Sequence, residues 1–172
     1  MKKSIVIVAA VLLCSQVQAQ KKEFMGIRLG RPASAQRADI QFGDLIEGGG
    51  YSFSEVYGDK ICGGNPGNVS YVKGNIESLT CDYDNSEAPT LLESLYLKYG
   101  KPSRVKQDTV QTGMGVKLAR HHYTWALPGM SVMLQTPSTK IDACSLSAFT
   151  SAQIASVVAN TKKEVIKHAR DF

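Results

Sequence analysis

Between Ser86 and Pro102 the chain carries an amphipathic helix whose limits are written in its residues. Leu91, Leu95 and Tyr99 repeat at i, i+4 and i+8, and Leu92 and Tyr96 widen the stripe. Ser86 is the N-cap candidate, and Asp82, Asp84 and Glu87 put negative charge near the positive end of the helix. Gly100 suits the position just past the last turn, and Pro102 forbids continuation. A helix this short is marginal alone in water and takes its stability from packing its apolar face, so this one must lie on a sheet.

The rest of the chain supplies the strands. Residues 23–29 read as one strand with Met25, Ile27 and Leu29 on one face and Gly30 closing it. Pro32 and Ser34 mark a turn into a short helix at 35–40. Gly48-Gly49-Gly50 breaks the chain before a strand at 51–57 with alternating Tyr51, Phe53 and Tyr57. Segments 69–72 and 76–83 pair as a hairpin about Lys73-Gly74-Asn75. Strands at 104–111, 116–126 and 130–135 form a meander, with turns at Thr112-Gly113-Met114-Gly115 and Leu127-Pro128-Gly129, and 141–149 adds a further strand. In the middle strand of the meander the apolar set moves from even positions, Val116 and Leu118, to odd ones, Tyr123, Trp125 and Leu127. A strand changes face only by inserting a residue, which predicts a β-bulge near 120–122. Thr150 with Gln153 resembles a capping box opening a second helix, on which Ile154, Val157, Val158, Thr161 and Val165 share a face. The order of elements predicts an α+β two-layer sandwich: an antiparallel sheet with two main helices packed on one face and the other face free. GIRLGRP at 26–32 and LKYGKP at 97–102 are similar, but only the second follows a helix.

The first residues read as an address. Lys2 and Lys3 precede an apolar run at 5–13 and a cleavable Val17-Gln18-Ala19, so 1–19 is expected to be a signal peptide and 20–172 a single exported domain, periplasmic or secreted. The run is too short for a membrane-spanning helix, and no later segment is apolar for long enough. Cys14 follows Leu13 rather than a small residue, which argues against lipidation. Beyond residue 19 there are 18 bases and 15 acids, a net of +3. These charges form blocks: 39–93 carries ten acids against Lys60 and Lys73, and 94–140 seven bases against Asp108. The blocks either complement each other on neighbouring elements or leave a basic face for a partner. Export implies an oxidising compartment, and three cysteines remain in the domain, enough for one disulfide and one thiol. Cys62 with Cys81 is the favoured pair, and Cys144 is the alternative partner of either.

Most catalytic chemistries fit the residues poorly. Asp82, Asp84, Ser86, Ala88, Thr90 and Glu93 fall at the ligand positions of a calcium loop, but the glycine that its turn requires is Glu87 here. Adjacent His121 and His122 point to opposite faces of a strand, and His168 lies on the far helix, so no metal site is expected. There is no nucleophile elbow, and a Cys144 thiol beside His121 or His122 is the one conceivable nucleophilic pair. Gly113-Met114-Gly115-Val116-Lys117 lacks the spacing of a phosphate loop. A charge of +3 and export argue against nucleic acid. No catalytic residue and no cofactor is therefore assigned. Lys117, Arg120, His121, His122, Tyr123 and Trp125 instead mix the residue types enriched at protein interfaces, with Trp125 read alternatively as core beneath the helix.

A helix ending in Lys98-Tyr99-Gly100-Lys101-Pro102 and feeding a meander that bears Trp125 resembles small exported domains of the BamE/SmpA and β-lactamase-inhibitor-protein type, over about 86–135. The resemblance implies a non-catalytic role binding another envelope protein, in assembly or as an inhibitor. The N-terminal strands and C-terminal helix depart from that pattern. The alternative expectation is an envelope enzyme or small-ligand binder with a pocket between the N-terminal strands and the Gly-rich loops.

Overall fold

The leucine repeat forms helix α1, Ala88–Tyr99, with Ala88 and Leu95 buried and Leu91, Leu92 and Tyr99 packed at the margin of the core. In this computed structural model the described residues are 22–48, 51–111, 115–138 and 140–170, with the backbone alone for 48, 51 and 163–170. The signal segment 1–19 with Cys14, glycines 49 and 50, and turn residues 112–114 lie outside them, as do the side chains of Val165 and His168. Asp84, not Ser86, caps the approach to α1: its carboxylate accepts from Ser86 N at 2.8 Å, while Glu87 accepts from Asp84 N at 3.3 Å. This closed capping box surrounds a single 3-10 turn at Asn85–Glu87, which leads into the helix at Ala88. At the far end Gly100 adopts φ 75°, the left-handed region open to glycine, and donates its N–H to Tyr96 O at 2.9 Å.

The strands are β1 (Glu23–Phe24), β2 (Ile27–Arg28), β3 (Gln41–Phe42), β4 (Ile46–Gly48), β5 (Tyr51–Tyr57), β6 (Gly67–Val72), β7 (Asn75–Asp84), β8 (Arg104–Gln111), β9 (Lys117–Leu127), β10 (Met130–Thr136) and β11 (Ala143–Thr150), followed by helix α2, Ser151–Arg170. Nine of them form one antiparallel sheet in the order β3-β5-β6-β7-β11-β10-β9-β8, with β4 also on β5. Two meanders, β5–β7 and β8–β11, therefore meet where β11 returns beside β7.

The expected two-layer α+β sandwich with both helices on one face is not the architecture; the protein is mainly β, built on this nine-stranded sheet. Only α1 lies over the sheet as foreseen. The first turns of α2 lie against β6, β7 and β11, and Ile154, Val157 and Val158 remain exposed. The predicted strand at 23–29 is instead a tight hairpin, because Met25 and Gly26 both take positive φ (47° and 83°) and turn the chain back after two residues. Phe24, Ile27 and Leu29 are buried by it. The helix expected at 35–40 is a single 3-10 turn at Ala33–Ala35. The bulge lies elsewhere too. Strand β9 pairs without interruption with β8 and β10, and the register shift falls between Ser70 and Tyr71, opposite Glu77. Leu118 keeps the regular alternation by facing outward opposite Val110, at the margin of the sheet where burial makes no demand.

Following the register divides the sheet into two faces. The inner face carries Val56, Val69, Leu79, Cys81, Leu146, Val132, Leu134 and Trp125, all 2% exposed or less, under α1 and the N-terminal hairpin. Cys62 and Cys81 form a disulfide with Cα atoms 5.3 Å apart, tying the loop before β6 to β7. A side chain on Gly67 would meet Cys62 Sγ at 2.7 Å, which explains glycine at the start of β6. Cys144 is a free, buried thiol donating to Asp84 O at 3.4 Å.

Candidate interaction face

Antiparallel pairing of two edge-side strands builds the most organised polar cluster on the outer face. Strand β8 turns Arg104, Lys106, Asp108 and Val110 outward, and β9 turns Leu118, Arg120, His122, Thr124 and Ala126 outward. Asp108 stands directly across from Arg120 and diagonal to His122. Arg120 Nε and Nη2 donate to Asp108 Oδ1 and Oδ2, both at 2.8 Å, a bidentate pair. His122 Nε2 lies 3.4 Å from Asp108 Oδ2. The Arg120 hydrogen bond holds the Asp108 carboxyl far below the usual carboxylate range; partial burial opposes this, and the His122 hydrogen bond and both neighbouring charges add to it. The same bond raises Arg120 further.

Every outward residue of β8, β9 and β10 that has been named, together with Ser131, Met133 and Gln135, keeps some exposure, and none is buried. Behind them on the same strands Trp125, Met130, Val132 and Leu134 are buried. At β9 and β10 the sheet thus has a packed side and an open side, whereas on β8 the inward Val105, Gln107 and Thr109 are exposed as well. The open side is basic, because Arg104 and Lys106 are exposed while the single acid, Asp108, is already held by Arg120.

The six residues singled out in the sequence do not form one patch. Arg120 and His122 face outward; Lys117, His121, Tyr123 and Trp125 face the other way. Trp125 is 2% exposed, stands edge-on to Tyr96 at 6.2 Å between ring centroids, and donates Nε1–H to Gly100 O at 2.9 Å. Its ring therefore does not reach the surface. His121 stacks on Tyr123 with centroids 6.1 Å apart, beyond the cover of α1. The Cys144 thiol is engaged by Asp84 O rather than by a histidine. Sequence reading missed Asp108, Arg104 and Lys106 as site members. Their signal was alternation: three charges at even positions of one strand, and one acid in a basic block.

No family model matches this chain, and neither a curated protein nor a solved structure matches it. Its chemistry must then be read from its own surface. Among the described residues no group of three or more His, Cys, Asp or Glu is placed to hold a metal ion. No described helix is long and apolar enough to cross a membrane. Besides the open face there is a groove of about 610 Å³ lined by Phe42, Leu45, Tyr71, Val72 and Lys73 between the N-terminal segments and the β6–β7 turn.

Proposed function

We propose that this chain is a non-catalytic protein-binding module of the periplasm or extracellular space, which recognises an acidic surface of an envelope protein through the outer face of β8–β10. The observation that carries this reading is the contrast across β9 and β10, where Trp125, Val132 and Leu134 are buried on the inner side while the outer side, continued onto β8, has no buried residue and displays Arg104, Lys106 and the Arg120–Asp108–His122 cluster. An exposed strand face with a guanidinium fixed by Asp108 and two further exposed bases suits electrostatic recognition of an acidic partner. The Cys62–Cys81 disulfide fits an oxidising compartment, in keeping with the signal-like segment 1–19. The resemblance of 86–135 to BamE/SmpA-like and β-lactamase-inhibitor-like domains points the same way.

Crosslinking of the purified domain to envelope proteins, followed by mass spectrometry, tests the proposal against the charge-reversed variant Arg104→Glu/Lys106→Glu. The expected result is one acidic protein retained by the native form, with crosslinks on β8 or β9, and lost from the variant. Equal retention by both forms would remove the basic face from the account. The groove at Phe42, Leu45 and Lys73 favours a second reading, an amphipathic small-molecule binder. That reading expects dye displacement that Leu45→Asp abolishes and Arg104→Glu leaves unchanged.

A further inference from the structure

Helix α2 meets its own sheet with its polar side. Gln153, Ser156 and Asn160, at i, i+3 and i+7, are the half-buried positions of its first three turns. Ile154, Val157 and Val158 are 42%, 42% and 62% exposed. A helix docked for burial shows the reverse, as α1 does. Gln153 Oε1 is buried at this contact with no hydrogen-bond partner, so the interface with the sheet is poorly matched. The apolar stripe is therefore free for something else.

Charge along the helix says what. Residues 151–161 carry no charged side chain, whereas 162–170 hold Lys162, Lys163, Lys167 and Arg170 against Glu164, a net of +3. The helical spacing of 100° per residue continues the stripe from Ile154, Val158 and Thr161 to Val165, with Lys162 at its border. The helix of a second copy would offer the same basic half and no acidic stretch to meet it. An anionic lipid surface supplies both missing partners, a shallow apolar layer for the valines and isoleucine and phosphates for the lysines.

We propose that α2 lies in the plane of an anionic bilayer, with Ile154, Val157 and Val158 at the acyl boundary, Lys162 at the border of the stripe, and the net basic charge of segment 162–170 drawing the helix to the headgroup phosphates. The helix rests on the surface without crossing it. This contact uses a different element from the outer face of β8–β10.

The test is co-sedimentation with vesicles, using the form that begins at Gln20, which contains every described element and lacks the apolar run at 5–13. Vesicles of phosphatidylglycerol and phosphatidylethanolamine are expected to carry the protein down at low salt. Phosphatidylcholine vesicles, or the variant Lys162→Glu/Lys163→Glu on anionic vesicles, should bind about tenfold less or weaker still. Val157→Asp should also abolish binding while leaving the far-UV circular dichroism unchanged, because Val157 is exposed. Should that variant disturb the helix, the lysine reversal keeps the test, since it leaves the stripe intact. Equal binding to phosphatidylcholine, binding indifferent to the lysine reversal, or no sedimentation with any vesicle would overturn the proposal. A dimer in sedimentation velocity that Val157→Asp dissociates, without vesicle binding, would give the stripe to a second copy instead.

Discussion

Helices α1 and α2 carry apolar stripes of similar sequence quality and end in opposite situations. In α1 the stripe is turned down onto Trp125 and the inner face, and Leu95 is buried. In α2 the stripe is turned out and a row of Gln153, Ser156 and Asn160 faces in. The difference lies in how each helix is delivered. Helix α1 begins in a closed capping box and ends at Gly100 and Pro102, so both of its ends are fixed, and the indole of Trp125 is hydrogen-bonded to Gly100 O. Helix α2 is anchored where it begins: Thr150, the last residue of β11, accepts from Gln153 N through Oγ1 and donates to the Glu77 carboxylate. Periodicity defines a stripe; what the stripe faces is decided by its two ends.

The sharpest way to break the comparison is Trp125→Ala. It would leave a void beneath α1 and strip Tyr96 of its edge contact, with an expected loss of about 3–5 kcal/mol of stability, read as a lowered denaturant midpoint. A variant that binds partner poorly yet unfolds like the native form would instead mean that this tryptophan is not core. Next in size is the disulfide. Cys62 and Cys81 are separated by 19 residues, and opening a loop of that length is expected to cost about 3 kcal/mol, which chemical unfolding of Cys62→Ala/Cys81→Ala measures against the native chain. Both losses belong to the α1 side of the molecule and should leave vesicle binding by α2 unaffected under conditions where the variants remain folded.

Much of that side was legible in the sequence. The boundaries of α1, the β6–β7 hairpin turn, the β8–β10 meander and the Cys62–Cys81 pair all rest on short-range signals: a leucine repeat, Lys73-Gly74 with positive φ (51° and 78°), Pro128-Gly129, and two cysteines near each other in the chain. What escaped was long-range. The return of β11 beside β7 fuses two meanders into one sheet, and no local pattern announces it. Leu118 looked like a break in alternation because an outward apolar residue at a sheet margin cannot be told from an inward one without knowing where α1 stops. The six candidate residues divide for a related reason: on one strand Arg120 and His122 face away from Lys117, His121, Tyr123 and Trp125, and only the register with β8 brings in Asp108.

Alkaline titration probes the packed side more gently. Burial pushes the Cys144 thiol up to about 11, with the charges of Glu87, Asp84 and Asp82 adding to the effect against an opposing backbone hydrogen bond. Burial first, then Glu87, likewise raises Tyr83 to about 12. In both groups the folded chain favours the neutral form, so their contribution is whole below the unfolded values near 9 and 10 and is lost as pH climbs toward 11 and 12. Stability should therefore decline above about pH 9. Cys144→Ala should flatten the first part of that decline, and the native thiol should resist Ellman's reagent until the chain unfolds. A thiol that reacts fully in the folded protein would show that this part of the inner face is open.

The smallest effect belongs to α2 and completes the contrast. Val158 is 62% exposed, so Val158→Ala removes little burial, and alanine is the better helix former; the expected change in stability is within about 0.5 kcal/mol in either direction. Leu95→Ala, a truncation on the stripe of α1, is expected to cost about 2–5 kcal/mol, because Leu95 is buried. Measured by the same chemical unfolding, a ratio this large between two stripe positions would mean that α1 is part of the cooperative core and that α2 keeps its apolar residues for a surface outside the chain. Comparable losses at Val158 and Leu95 would mean that α2 folds back onto the sheet in solution with its stripe inward, and the membrane proposal would fall with its premise.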